Sequence, residues 1–222
     1  MLPASSKPRP PASLTLATLE EDDLHDEGRY AALGYYELDL TGRTVAGAEW
    51  SQCRFNRADL SGCTFLKPSF SDCLFQNSSL TNVRVEGAVF SRVTVQDSRL
   101  GGIQWVDSEL RDLTIVDSSL DLGVFRASEL RTVSFVDCNL SGADFSLAEL
   151  GGTQFTRCDL TGAQFSGATM AGARFADCIL DGVSGIAGFA GAVIATGDLA
   201  GLAQTLAAAL DITLEEPALE TD

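Results

Sequence analysis

Residues 138–165 read CNLSG ADFSL AELGG TQFTR CDLTG AQF when cut in fives. The third residue of each five is Leu or Phe, and the first is small. Extending the cut outward from Leu40 to Leu180 gives 29 such third positions, and every one is large and apolar. At 45% apolar composition, chance would give this roughly once in 10^10, so the period is real and must be read before any local propensity. Both Trp residues and eleven of the twelve Phe residues fall in the series, with no insertion to shift it.

Two residues before each large position lies a second, small series. All six cysteines sit there (Cys53, Cys63, Cys73, Cys138, Cys158, Cys178), with Ala and Ser in most other slots; Leu38, Arg43, Pro68, Ile103 and Leu113 depart from it. An α-helix advances about 140° in five residues and gathers no face from this pattern. A flat strand sends every second unit to the wrong side. A chain that turns about 90° per five residues puts every large side chain inside, and four units then close a coil of about 20 residues. The Leu40 column is Leu in all eight coils down to Leu180. Gly ends many units (Gly62, Gly142, Gly152, Gly162, Gly172), which suits tight turns.

The chain has 222 residues with a net charge of −16. That balance excludes direct nucleic-acid binding, which needs a basic face, and suits basic partner surfaces. One His and two Lys leave little for acid–base or Schiff-base chemistry. There is no phosphate loop, no metal-ligand spacing and no nucleophile–base pair, so neither an enzyme nor a cofactor is expected. The cysteines read as small buried apolar residues, since six are sparse and no C-x-x-C occurs. His25 lies in an acidic leader. No stretch is long and apolar enough to span a membrane, and no signal peptide is legible; a cytoplasmic location is expected.

The five-residue unit resembles the pentapeptide-repeat family, whose consensus is A-(D/N)-L-x-x. Ala58-Asp59-Leu60-Ser61-Gly62, Cys138-Asn139-Leu140-Ser141-Gly142, Ala143-Asp144-Phe145 and Cys158-Asp159-Leu160-Thr161-Gly162 match it closely. The resemblance covers about residues 38 to 182. It implies an all-β solenoid, a right-handed quadrilateral β-helix of about seven coils. The expected division is a flexible acidic and Pro-rich leader (1–27), the β-helix (28–194), a C-terminal helix with a short strand at Ile212-Thr213-Leu214 (195–214), and a tail (215–222). Residues 18–27 form either a short helix or a loose cap.

Leu199, Leu202, Leu206 and Leu210 recur at helical spacing, and Thr196 and Asp198 are candidate N-caps. This helix either caps the solenoid's open end or caps it and forms a homodimer; some bacterial members of the family dimerise through such modules. Function belongs on the outer surface. Residues 37–182 carry nineteen acids and twelve bases. Glu109, Glu129 and Glu149 recur every 20 residues and should stack, as should Asp97, Asp117 and Asp137; Asp59 and Asp159 add to the Leu40-type face. Like charges at one strand spacing repel. The resemblance extends to acidic, DNA-mimicking members, the mycobacterial fluoroquinolone-resistance protein and the Qnr proteins, and implies DNA gyrase or another type II topoisomerase as partner. The uninterrupted register lacks the projecting loops of Qnr proteins, which makes the loopless mycobacterial type the nearer analogue. A rigid scaffold for an unrelated protein partner is the alternative.

Overall fold

The computed structural model describes residues 6–213. Its backbone turns on one conformation repeated without exception. Every fifth residue from Glu27 to Gly182 lies in the left-handed region. Each such residue bends the chain, and the next residue, the small one, enters the interior. Eleven of these corners are Gly and nine are Asp or Asn, the residue types that tolerate positive φ. The rest are other residue types, among them Leu122 (φ 56°), Thr132 (φ 57°) and Leu147 (φ 62°).

Four corners close a coil, so residue i pairs in parallel with residue i+20: Phe55 with Phe75, Leu110 with Leu130, Phe155 with Phe175. On the Phe55 face, ten short strands stack from Thr15–Leu16 to Val193–Ile194, giving a parallel solenoid of about nine turns. That is longer than the stretch between Leu40 and Leu180, because the chain continues to pair beyond the strict repeat. The spacing shortens to 18 residues at the start (Thr15 with Leu33) and to 19 at the end (Arg174 with Val193). Thr15–Leu16 thus forms a strand within the stretch read as leader. The Leu40 face holds only single bridges, such as Asp39 to Asp59 and Asn139 to Asp159.

Large side chains fill the interior as columns. Tyr35, Phe55 and Phe75 stack with centroids 4.7 and 4.4 Å apart, and Phe125, Phe145 and Phe165 at 4.6 and 5.2 Å. Neighbouring columns meet edge to face, as Phe135 does with Phe125. Both geometries are favourable for aromatic quadrupoles. All six cysteines are buried free thiols. Burial pushes the Cys63 and Cys73 thiols up, and contact with Cys138 pushes Cys158 up to about 12. Contact with the Cys73 and Cys158 thiols lowers Cys53 and Cys138 instead, and all six serve as small packing groups of the interior.

The small series also satisfies buried backbone. Ala58, Ser78 and Ser98 donate their N–H groups to the hydroxyls of Ser78, Ser98 and Ser118 at 3.1–3.2 Å. Further along the same column, Cys178 N–H donates to Asp198 Oδ2 at 2.9 Å.

At the N-terminal end, turns over residues 18–27 bury Ala17 and Leu24 against the first coil, and Tyr30 Oη donates to the Asp23 carbonyl at 2.9 Å. These residues form a turn cap without a helix. At the other end, Phe189 packs on Phe165 and Phe175. A 3-10 turn, Thr196–Asp198, then leads into α1, Leu199–Ala209. Asp198, one of the two candidates, occupies the N-cap position of α1, but its side chain makes no bond to the helix, because the orphan N–H of Cys178 claims its carboxylate. Ile212 and Thr213 form no strand; Leu214 and residues 215–222 lie outside the described residues, as do residues 1–5 of the leader.

Candidate protein-interaction surface

Among the described residues, no group of three or more His, Cys, Asp or Glu side chains is placed to hold a metal, and no helix is long and apolar enough to cross a membrane. Interior columns leave no room for a substrate, so the outer faces carry whatever the protein binds.

Glu109, Glu129 and Glu149 stack on consecutive turns as their spacing predicts. They differ in charge environment. Glu109 pairs with Arg111 and Glu129 with Arg131 on the same strand. The expected repulsion is therefore relieved at two of three rungs. Glu149 is exposed and has no ion pair among the described residues.

Asp97, Asp117 and Asp137 are all corner residues, with φ of 49–52°. The backbone alone accounts for Asp at these positions, since it adopts the left-handed conformation more easily than most residues. Arg157 binds Asp137 through two bonds of 2.7 and 2.6 Å and holds its carboxyl below the usual range. Asp97 accepts a bond from Gln96 at 3.0 Å. Asp97 and Asp117 are exposed and without an ion pair among the described residues.

Asp59 and Asp159 turn their carboxylates to their own chain. Asp59 Oδ1 accepts the Ser61 N–H, and Asp159 Oδ1 accepts the Thr161 N–H and hydroxyl at 2.9 and 2.6 Å. These are Asx-turns that shape the Leu40 face. The second residue of the consensus unit is thus a turn former before it is a surface charge.

Most of the ion pairs link adjacent coils at a spacing of 20 residues. Arg57 reaches Glu37 at 2.9 Å, Arg43 reaches Asp23 at 3.2 Å, and Arg92 grips Asp72 with two bonds of 2.7 Å. Arg92 holds the Asp72 carboxyl below its ordinary value. Burial alone would raise Asp144, but Ser146 and Arg126 bind it and lower it. These pairs were missed in the sequence, although an acid followed 20 residues later by Arg is visible once the period is known.

The helix leucines divide in two. Leu202 is 1% exposed and joins the core; it caps the solenoid and is unavailable to a second chain. Leu199, Leu206 and Leu210 are exposed. At 100° per residue they fall within about 40° of one another, centred about 60° round α1 from Leu202.

Solved structures similar in fold include HetL, a pentapeptide repeat protein involved in heterocyst differentiation regulation from the cyanobacterium Nostoc sp. It is 16% identical over 78% of this chain and 88% of its own, with a TM-score of 0.37. A trypsin-treated form of QnrB1, a plasmid-mediated fluoroquinolone resistance protein, is 15% identical over 86% and 99%, with a TM-score of 0.36. A pentapeptide repeat protein from the Arabidopsis thaliana thylakoid lumen is 24% identical over 38% and 63%, with a TM-score of 0.34. No curated protein matches the chain. The model of the pentapeptide repeat region matches residues 48–125 and 123–184, the same coils whose corners, columns and 20-residue pairing are described above, and the chain belongs to the pentapeptide repeat family.

Proposed function

We propose that the protein is a non-enzymatic binding module that offers its acidic outer faces to a basic groove built for duplex DNA. The partner is DNA gyrase or another type II topoisomerase, which the protein modulates or protects from inhibitors such as quinolones. The carrying observation is a set of exposed carboxylates left without arginines on an uninterrupted solenoid: Asp97 and Asp117 on successive turns of one corner, and Glu149 in the separate Glu109–Glu129–Glu149 column.

Charge density sets the expected strength. Residues 37–182 carry a net charge of −7 over seven strand spacings, or about one charge per 5 Å at ~4.8 Å per turn. Duplex DNA carries one per ~1.7 Å. The mimic is about a third as dense as DNA, so its binding should depend on salt less steeply than DNA binding does.

The test is a gyrase supercoiling assay with purified protein, with and without a fluoroquinolone, at two salt concentrations. Inhibition that weakens with salt, or rescue from the drug, supports the reading. Glu149→Lys should then reduce the effect several-fold without altering the fold. No effect at tens of micromolar rejects it. A rigid scaffold for an unrelated partner is the second reading, favoured by the arginines that neutralise Glu109, Glu129 and Asp137.

The exposed stripe of Leu199, Leu206 and Leu210 supports a homodimer through α1. Light scattering at micromolar concentration should give twice the chain mass, and Leu206→Glu should return it to the monomer mass. A monomer in both cases rejects the dimer.

A further inference from the structure

We propose that the proline-rich N-terminal segment roofs a binding site for a small amphipathic molecule bearing one negative charge, such as an aryl or alkyl carboxylate. The segment runs along the Phe55 face. Ser6 N–H donates to Asp112 at 3.2 Å, Arg9 N–H to Asp72 at 3.0 Å, and Gln52 Nε2 to the Arg9 carbonyl at 3.3 Å. Thr15 then joins the first rung beside Leu33.

The strap is longer than its track. Nine extended residue steps from Ser6 to Thr15 reach about 28 Å at ~3.1 Å each. The five rung spacings from Thr15 to Thr114 span about 24 Å at ~4.8 Å per rung, a few ångströms less than the strap. Pro8, Pro10 and Pro11 have fixed φ and no N–H, so the surplus cannot be taken up by a hydrogen-bonded ladder against the face. It arches instead, and a cavity of about 680 Å³ lies between it and the solenoid. That volume is in the range of small-molecule sites, about 300–1,000 Å³.

Its floor is mixed: Leu74 and Val116, from two coils, lie among Gln52, Thr94 and Gln96, with the prolines opposite. Its charges select the ligand's sign. Asp72 is on the wall but is committed to Arg92 and to the strap. Arg54 and Lys7 also line the cavity, and among the described residues neither has an ion pair. Two uncommitted cations beside the Leu74 and Val116 side chains, in a chain of net charge −16, make this a local positive site for a carboxylate or sulfonate whose body packs on those two residues and the prolines.

The probe is 1-anilinonaphthalene-8-sulfonate, titrated by fluorescence into the full chain. Saturable binding of one equivalent is expected. Arg54→Gln should weaken it tenfold or more, and Thr94→Trp, which places an indole on the cavity floor, should abolish it. Far-UV circular dichroism checks that both variants fold; if Thr94→Trp does not, Arg54→Gln alone decides. No saturable binding overturns the proposal. Equal affinity in the Arg54→Gln variant also overturns it, since the probe then reports either an uncharged site or the leucine stripe of α1. Leu206→Glu, which alters that stripe and leaves the cavity intact, should leave the affinity unchanged.

Discussion

Thr132 holds a left-handed corner at φ 57°, where a β-branched side chain is strained. Asn suits that conformation better, and Thr132 is at the surface end of its unit, so Thr132→Asn should stabilise the fold by about 1 kcal/mol. Urea unfolding would show it as a higher midpoint at unchanged slope. Asp72 is also a corner residue, but its carboxylate does further work through Arg92. Asp72→Asn keeps the conformation and removes the charge. The unfolded carboxyl takes up its proton at higher pH than the folded one, whose value Arg92 lowers. The pair's contribution is therefore complete above the ordinary carboxylate range and lost as pH falls through the folded value. Asp72→Asn should cost about 1 kcal/mol at pH 7, and the difference from the parent should vanish once the pH is below the folded carboxyl's lowered value. A difference that persists there would mean that the side chain acts through packing and not through charge.

At the scale of elements, the solenoid must end two open stacks. The N-terminal turns do so with Leu24 and Ala17, and the C-terminal end with Phe189 and Leu202. The serine column needs its own terminator, because the N–H of Cys178 has no further coil above it. Asp198, 8% exposed, supplies the acceptor. Asp198→Ala should cost about 1–3 kcal/mol, the penalty of an unpaired buried donor, and Asp198→Asn less, since its amide oxygen can accept the same bond. Hydrogen exchange should locate the loss at the last coil and α1, with the middle turns unaffected. Uniform loss across all turns would show that the cap is coupled to the whole stack.

Across the molecule, stability comes from nearest-neighbour turns that bury a continuous column. Phe145 is fully buried between Phe125 and Phe165. Truncating such a ring costs about 3–5 kcal/mol, and a buried unpaired carboxylate adds more. Against a typical total of about 5–15 kcal/mol, Phe145→Asp should abolish the cooperative thermal transition. A normal melting curve would refute the register on which the columns rest.

The five-residue period already determines the interior. A side chain that recurs in 29 consecutive units must face one way, and only a square coil allows it. The Leu column, the small series and the Gly corners were legible for the same reason. Surface chemistry was less so. Asp97, Asp117 and Asp137 looked like one ladder, yet corner geometry explains all three and Arg157 neutralises one. Charge pairing depends on which side chains can reach across a rung, and that is a property of the assembled faces. Leu202 and Leu206 belong to one helical pattern in the sequence, and only docking of α1 on the last coil separates the buried one from the exposed one. The strap's arch has the same origin: its contacts lie up to 106 residues away, and its slack is set by the mismatch between an extended proline segment and the rise of the stack beneath it.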